Sequence, residues 1–450
     1  MNFIASVFPE TPPKSTGFKD SGGFAQAVKV HPARPTTPPG PRTRHEQQPL
    51  AKMPIASRVH KRRVHDRPGM VEGGHFGKPP EVTLRKVIDT APGAGPFDDE
   101  NGYYIICKGA PFGDHYVVCR ELGQGTFGKV FEAWDCQSMR RVAIKVIRAI
   151  PKYRNASKHE LRALVALGNN DPANHSQCAR MIECFDYRNH VCIVTELYDI
   201  SVFDFLKKNH FSPFPREHVR SIALQTLRSV QFLHSLGLVH TDIKPENILF
   251  HDASFVQDTW RRSPRSSPRP RKLVRDPKVT LIDFGSSIFD DEYHAMVVST
   301  RHYRAPEIIL GTGWSFPCDI WSAACVMVEL CTGSVLFQIR DNLTHLHMIE
   351  RTLQSVFPTE LLAKAATNST GSEYVGTKSQ ALHPMVDRQS VGIVERHPPL
   401  RSIIRGMTCY VEDPLFWDYF LDLVEQMLLI DPAKRITASD ALSHPWFSLV

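Results

Sequence analysis

The chain has no C-x-x-C pair, and its 10 cysteines follow no regular spacing. That argues against a zinc ribbon or a disulfide scaffold and leaves them as reduced core residues, such as Cys192 and Cys325. No apolar run reaches the ~20 residues that a membrane span needs. The segment from Ile320 to Leu330 is too short and is interrupted by Glu329. A secretory leader is lacking too, because Pro9, Pro12 and Pro13 break the first stretch. These absences predict an intracellular protein without a membrane partner. Acidic residues are scarce in residues 1–95, which hold 7 Asp or Glu against 15 Lys or Arg together with 14 of the 34 prolines. The predicted result is a disordered, basic, Pro-rich tail of net charge +8, leaving about −1 for the remainder. The tail could bind RNA directly or, through Lys61-Arg62-Arg63, direct nuclear import; solvation is the default for such runs.

The chain as a whole, at 450 residues and 42% hydrophobic content, is long enough for a sizeable core in addition to the tail. Its densest chemistry is His240-Thr241-Asp242-Ile243-Lys244-Pro245-Glu246-Asn247, followed after a basic insert by Asp283-Phe284-Gly285. These residues hold the polar groups that phosphoryl transfer to a hydroxyl requires. Asp242 would take the acceptor's proton, and Asn247 and Asp283 would be oxygen ligands for Mg²⁺ on the ATP phosphates. Lys244 would offset charge developing on the γ-phosphate, as in kinases acting on Ser and Thr.

Upstream, Gly123-Gln124-Gly125-Thr126-Phe127-Gly128-Lys129-Val130 forms G-x-G-x-x-G-x-V. A dinucleotide-binding turn would place such glycines at the start of a helix. Here β-prone Tyr116–Cys119 and Val130–Trp134 flank them, so a hairpin over the phosphates fits. The predicted nucleotide site takes Leu122, Gly123, Gln124, Gly125, Thr126, Phe127, Gly128 and Val130 from that hairpin. It takes Ala143 and Lys145 from Val142-Ala143-Ile144-Lys145, and Thr195, Glu196 and Leu197 from the end of an apolar strand. Lys145 would reach the α- and β-phosphates, with Glu160 as its partner on a helix over Lys158–Leu167 that stops at Gly168. Thr195 would guard the back of the pocket.

Beyond Asp283, Ala305-Pro306-Glu307 closes an activation segment in which Thr300 would bridge Asp242 and Lys244. Glu307 is expected to pair with Arg435. Asp319 and Trp321 open the apolar stretch to Leu330, expected to be a buried central helix.

Ser299 to Glu307, the Thr after His240, and Thr344-His345-Leu346-His347-Met348-Ile349-Glu350-Arg351 together resemble the LAMMER (Clk-type) kinases of the CMGC group, named for the motif EHLAMMER. The chain keeps His345, Leu346, Met348, Glu350 and Arg351 and departs at Thr344, His347 and Ile349. The resemblance covers Asp98 to Phe447 and is weakest over 354–410. It implies an α+β, two-lobed protein-kinase fold: a β-rich small lobe over 116–196 and a helical lobe over 197–447, preceded by a lead-in over 96–115. It also implies ATP and Mg²⁺ as cofactors, phosphorylation of Ser and Thr in arginine/serine-rich splicing factors, autophosphorylation on Tyr, and residence in the nucleus with the cytoplasm as a second location.

Thr241 stands where many kinases have an Arg that gathers a phosphorylated activation loop, so activity without that phosphorylation is expected, aided by Asp290, Asp291 and Glu292. The insert over 251–277, with Arg261-Arg262-Ser263-Pro264-Arg265-Ser266-Ser267-Pro268, reads as a solvated basic loop or as a segment that competes for the substrate groove. Two other functions stay open: a kinase directed at other arginine/serine or Ser-Pro substrates, and a kinase-like scaffold without activity. Retention of Lys145, Asp242, Asn247 and Asp283 favours an enzyme.

Overall fold

Valine, isoleucine and aromatic residues alternate through 116–147 and 181–196, and in the computed structural model, which describes residues 82–88, 96–261 and 266–449, these stretches are strands of one sheet. The sheet contains β1 (Arg85–Val87), β2 (Pro111–Phe112), β3 (Tyr116–Gln124), β4 (Gly128–Asp135), β5 (Arg140–Ile147), β6 (Met181–Tyr187) and β7 (His190–Glu196), in the order β1-β6-β7-β5-β4-β3-β2. Strand β1 corrects the expectation of a tail disordered to residue 95: Arg85–Val87 runs parallel to β6, with Val87 buried and Arg85 paired with Asp114 and Glu183. Val87 buried in the core, Val82 and Leu84 packed against core residues, and the parallel pairing with β6 hold this short strand. The rest of the tail, with Lys61-Arg62-Arg63, lies outside the described residues.

Helix α1 (Pro151–Asn170) crosses the sheet and is longer at both ends than the sequence pattern predicts. Pro151 supplies a favourable first-turn residue, and Gly168 is carried within the last turn, which closes through Asp171 N to Leu167 O. The second lobe then follows with α2 (Val202–Lys208), α3 (Arg216–Ser235), β8 (Leu238–Val239), β9 (Ile248–Phe250), β10 (Phe255–Trp260), β11 (Arg269–Val274), β12 (Val279–Leu281), β13 (Ile288–Phe289), α4 (Pro306–Ile309) and α5 (Pro317–Thr332). It ends with α6 (Asn342–Leu353), α7 (Thr359–Ala366), α8 (Arg388–Arg396), α9 (Leu400–Arg405), α10 (Thr408–Glu412), α11 (Pro414–Met427) and α12 (Ala438–Leu442).

Helix α5 is the expected central helix, buried from Cys318 through Cys331 against α3 and α11. Helix α6 carries the LAMMER-like residues. His345, Leu346, Met348 and Ile349 face the core, Arg351 donates to the carbonyls of Glu395 and His397, and Glu350 accepts from Phe357 N. The signature thus anchors the 354–410 segment that matches the family least. In the insert, β10 and β11 pair as a hairpin whose stem packs on 209–213 through Asn209, Lys272 and Arg271. These stem contacts do not include the loop of Asp242.

Candidate active site

The alternation of β5 buries Val142 and Ile144 on one face and turns Lys145 to the other, where it meets α1 and the segment after β12. Lys145 Nζ donates to Glu160 Oε1 at 2.7 Å and to Asp283 Oδ1 at 3.1 Å. Burial works against the ammonium, but the two carboxylates, Asp283 then Glu160, outweigh it and raise the Lys145 pKa. The acids share this one cation unequally. Burial lifts the Asp283 carboxyl, yet Lys145 and the nearby His240 and Lys244 bring it below the usual range, whereas Glu160 ends above its own. A carboxylate held ionised beside Lys145 at this position suits a ligand for a divalent cation. Asp283 adopts a left-handed backbone (φ 63°) that costs a non-glycine residue on the order of 1–3 kcal/mol. Gly285 follows because a Cβ there would come 3.3 Å from Asp283 Oδ1 and 3.8 Å from Lys145 Nζ.

The second cluster is built on the loop after β8. Asp319, at the start of α5 and fully buried, accepts the backbone N–H groups of His240 and Thr241, each at 2.8 Å, and pins the loop from below. Thr241 is held at φ 69°, an outlier for a β-branched residue, and its hydroxyl donates to Ser286 O at 2.9 Å. The residue that replaces the arginine thus ties the Asp242 loop to the segment leaving Asp283. Asp242 Oδ1 accepts from the hydroxyl (2.7 Å) and amide (3.0 Å) of Thr300, and Oδ2 accepts from Lys244 Nζ (2.7 Å) and Asn247 Nδ2 (3.3 Å). Lys244 also donates to Thr300 Oγ1 at 3.0 Å, which completes the expected bridge. Asn247 commits its amino group to Asp242 O at 2.9 Å, so its carbonyl oxygen is what it can offer a metal. A hard oxygen from Asn247 and an ionised Asp283 fit a divalent cation.

Leu122, Gly123, Gly125, Phe127, Gly128 and Val130, with Ala143, Lys145, Thr195, Glu196, Leu197, Asn247 and Asp283, line a cavity of about 260 Å³. Gln124 and Thr126 do not. The side chain of Gln124, at the end of β3, and that of Thr126, in the turn before β4, are both exposed, so the two residues can face a nucleotide only through their backbone. The pattern also missed the apolar residues Leu249 and Ile282, which line the cavity from beside Asn247 and Asp283 and could have been found from those positions. A larger concavity of about 900 Å³ lies between the insert hairpin and residues 403–413 but contains neither cluster. Chemistry, and not size, locates the site.

The sequence pattern of the protein kinase domain matches residues 116–447. The chain belongs to the protein kinase family, in its LAMMER (Clk-type) branch. Relatives include the dual specificity protein kinases lkh1 of Schizosaccharomyces pombe, 44% identical over 78% of this chain and 49% of that protein, and KNS1 of Saccharomyces cerevisiae, 40% identical over 78% and 58%. The chain thus spans about half the length of these two. Serine/threonine-protein kinase AFC3 of Arabidopsis thaliana is 41% identical over 78% of this chain and 86% of its own. A kinase-domain crystal structure superposes with a TM-score of 0.71 at 30% identity, covering 78% of this chain and 100% of its own.

Three ties hold the kinase domain's activation segment through protein groups. Arg162 of α1 meets Glu292 at 2.7 Å, Ser315 donates to Asp290 Oδ1, and Arg304 donates to the carbonyls of Val298 and Ser299. Enzyme treated with phosphatase is expected to retain at least half its activity on a peptide, a fraction that corresponds to under about 0.5 kcal/mol in the barrier; complete loss would refute the arrangement. Thr195 lies opposite Ala143, a small pair at the back of the cavity. Thr195→Phe is expected to preserve ATP turnover while weakening bulky ATP-competitive inhibitors by about tenfold or more. Unchanged inhibitor potency would sink that assignment.

Proposed function

We propose that this chain transfers the γ-phosphate of ATP, with Mg²⁺, to Ser and Thr hydroxyls of protein substrates, principally arginine/serine-rich splicing factors, and autophosphorylates on Tyr. The observation carrying the chemistry is the set of donors converging on Asp242 beside the cavity that holds Lys145 and Asp283. Thr300 already makes to Asp242 the O–H···O⁻ hydrogen bond that a substrate hydroxyl would make there. Asp242 is the base, oriented by Thr300, Lys244 and Asn247, and Lys244 offsets charge as transfer proceeds. Asn247 and Asp283 would hold the metal, which would neutralise phosphate charge. Lys145, kept in place by Glu160, orients the α- and β-phosphates.

Support for arginine-bearing substrates comes from Glu246, next to Asn247, whose Oε2 is buried and has no hydrogen-bond partner, and whose carboxyl is pushed up by burial and, further, by Asp242 and Asp204. A substrate guanidinium near Asp242 would be drawn by this acidic set of Glu246, Asp242 and Asp204. Relatives named dual specificity kinases support the Tyr reaction, and a nuclear location, with the cytoplasm as a second site, follows from the substrate class and Lys61-Arg62-Arg63. The test is ATP-dependent transfer to an arginine/serine-rich peptide, with the modified residues mapped by mass spectrometry. Transfer to Ser supports the reading; nucleotide binding without transfer returns weight to a scaffold or another substrate.

A further inference from the structure

The glycine-rich hairpin is held from outside by residues that precede the matched kinase domain. Asp99 Oδ1 accepts from Asn101 N at 2.9 Å and Tyr103 N at 3.0 Å, folding the lead-in into a tight turn. Gly102 sits at φ 74°, and a Cβ there would stand 3.1 Å from Ile150 Cγ1. Its carbonyl accepts from Ala149 N at 3.0 Å. Behind the turn, Asp98 contacts the fully buried His190 at 2.6 Å, fastening it to β7.

From this platform the Tyr103 hydroxyl donates to Gly125 O at 2.9 Å. Arg148 lies 4.4 Å over the Tyr103 ring and 4.5 Å over Tyr153 of α1. It donates to Asn101 O at 2.9 Å and to Thr126 O at 3.4 Å. The carbonyls of Gly125 and Thr126 in the turn of the glycine loop are therefore engaged outward, and that of Phe127 accepts from Arg148 N at 2.9 Å. In a trans peptide the following N–H points the opposite way, so the amides of Thr126 and Phe127 are turned away from the lead-in. Successive backbone N–H groups in such a turn are what bind phosphate.

We propose that residues 97–105 form a strut that presets the glycine loop for nucleotide phosphates, with Tyr103 and Arg148 as positioning residues. This deepens the kinase reading and rests on it. The strut touches the loop and the β5–α1 connection, and Arg148 of that connection and Phe127 of the loop both meet Tyr153 of α1, the helix that carries Glu160.

The test uses the full chain and measures binding of Mg²⁺ with a non-hydrolysable ATP analogue, beside binding of adenosine, which lacks phosphates. Tyr103→Phe is expected to raise the Kd of the ATP analogue and the KM for ATP by roughly 2- to 12-fold, the range for one lost hydrogen bond. Adenosine affinity, peptide KM and kcat should stay unchanged. Tyr104→Phe is the control, since its hydroxyl accepts from Arg188 and does not reach the loop. Unchanged affinity for the ATP analogue, or equal weakening of analogue and adenosine, would overturn the strut and leave the kinase reading intact. A wild-type chain that binds no nucleotide would overturn both.

Discussion

Asp242→Asn is expected to lower kcat by about 10²- to 10⁴-fold, the usual span for loss of a positioned general base, while nucleotide affinity stays near wild type. The geometry specifies why the two should separate. Asp242 is gripped by Thr300, Lys244 and Asn247, and the phosphates are met elsewhere, by Lys145 and the glycine hairpin. An amide keeps the shape and most of the hydrogen bonds but cannot take a proton. Turnover on an arginine/serine-rich peptide, run beside direct nucleotide binding, checks this. Retention of more than a tenth of kcat would remove Asp242 from the role of base.

The largest stability effect is expected at the pair joining Glu307 to Arg435. The two parallel bonds are 2.7 and 3.0 Å long, both side chains are essentially without exposure, and the guanidinium also donates to the carbonyls of Pro317 and Leu429. Arg435→Met would leave a carboxylate buried without its cation and is expected to cost about 3–5 kcal/mol in denaturant unfolding. Adding Glu307→Leu should recover part of that loss, because the uncompensated charge is then gone. A single substitution costing less than about 1 kcal/mol would contradict the arrangement.

Motif order made the nucleotide loop, Lys145, Asp242, Asn247 and Asp283 legible, because their chemistry depends on residue type at short spacing. The pairings of Lys145 with Glu160 and of Glu307 with Arg435 were foreseeable once those motifs were aligned, although 128 positions separate the second pair. The pattern was silent on Asp319 as the anchor of the catalytic loop, since a carboxylate that accepts two backbone N–H groups from 78 and 79 residues away leaves no local trace. The motif names Gln124 and Thr126 with their neighbours but does not say that their side chains are exposed and that only their backbone faces the site, because that depends on how the hairpin turns.

The sequence by itself determined the chemistry, the element types and the family, because glycines, paired carboxylates and apolar periodicity act over a few residues. Tertiary structure alone decided that Arg85–Val87 becomes an edge strand, that Thr241 ties the catalytic loop to Ser286, and that Tyr103 reaches Gly125. Each depends on where a distant backbone carbonyl or strand edge lies. Such groups are the same in every residue, so only the fold says which one a side chain will meet.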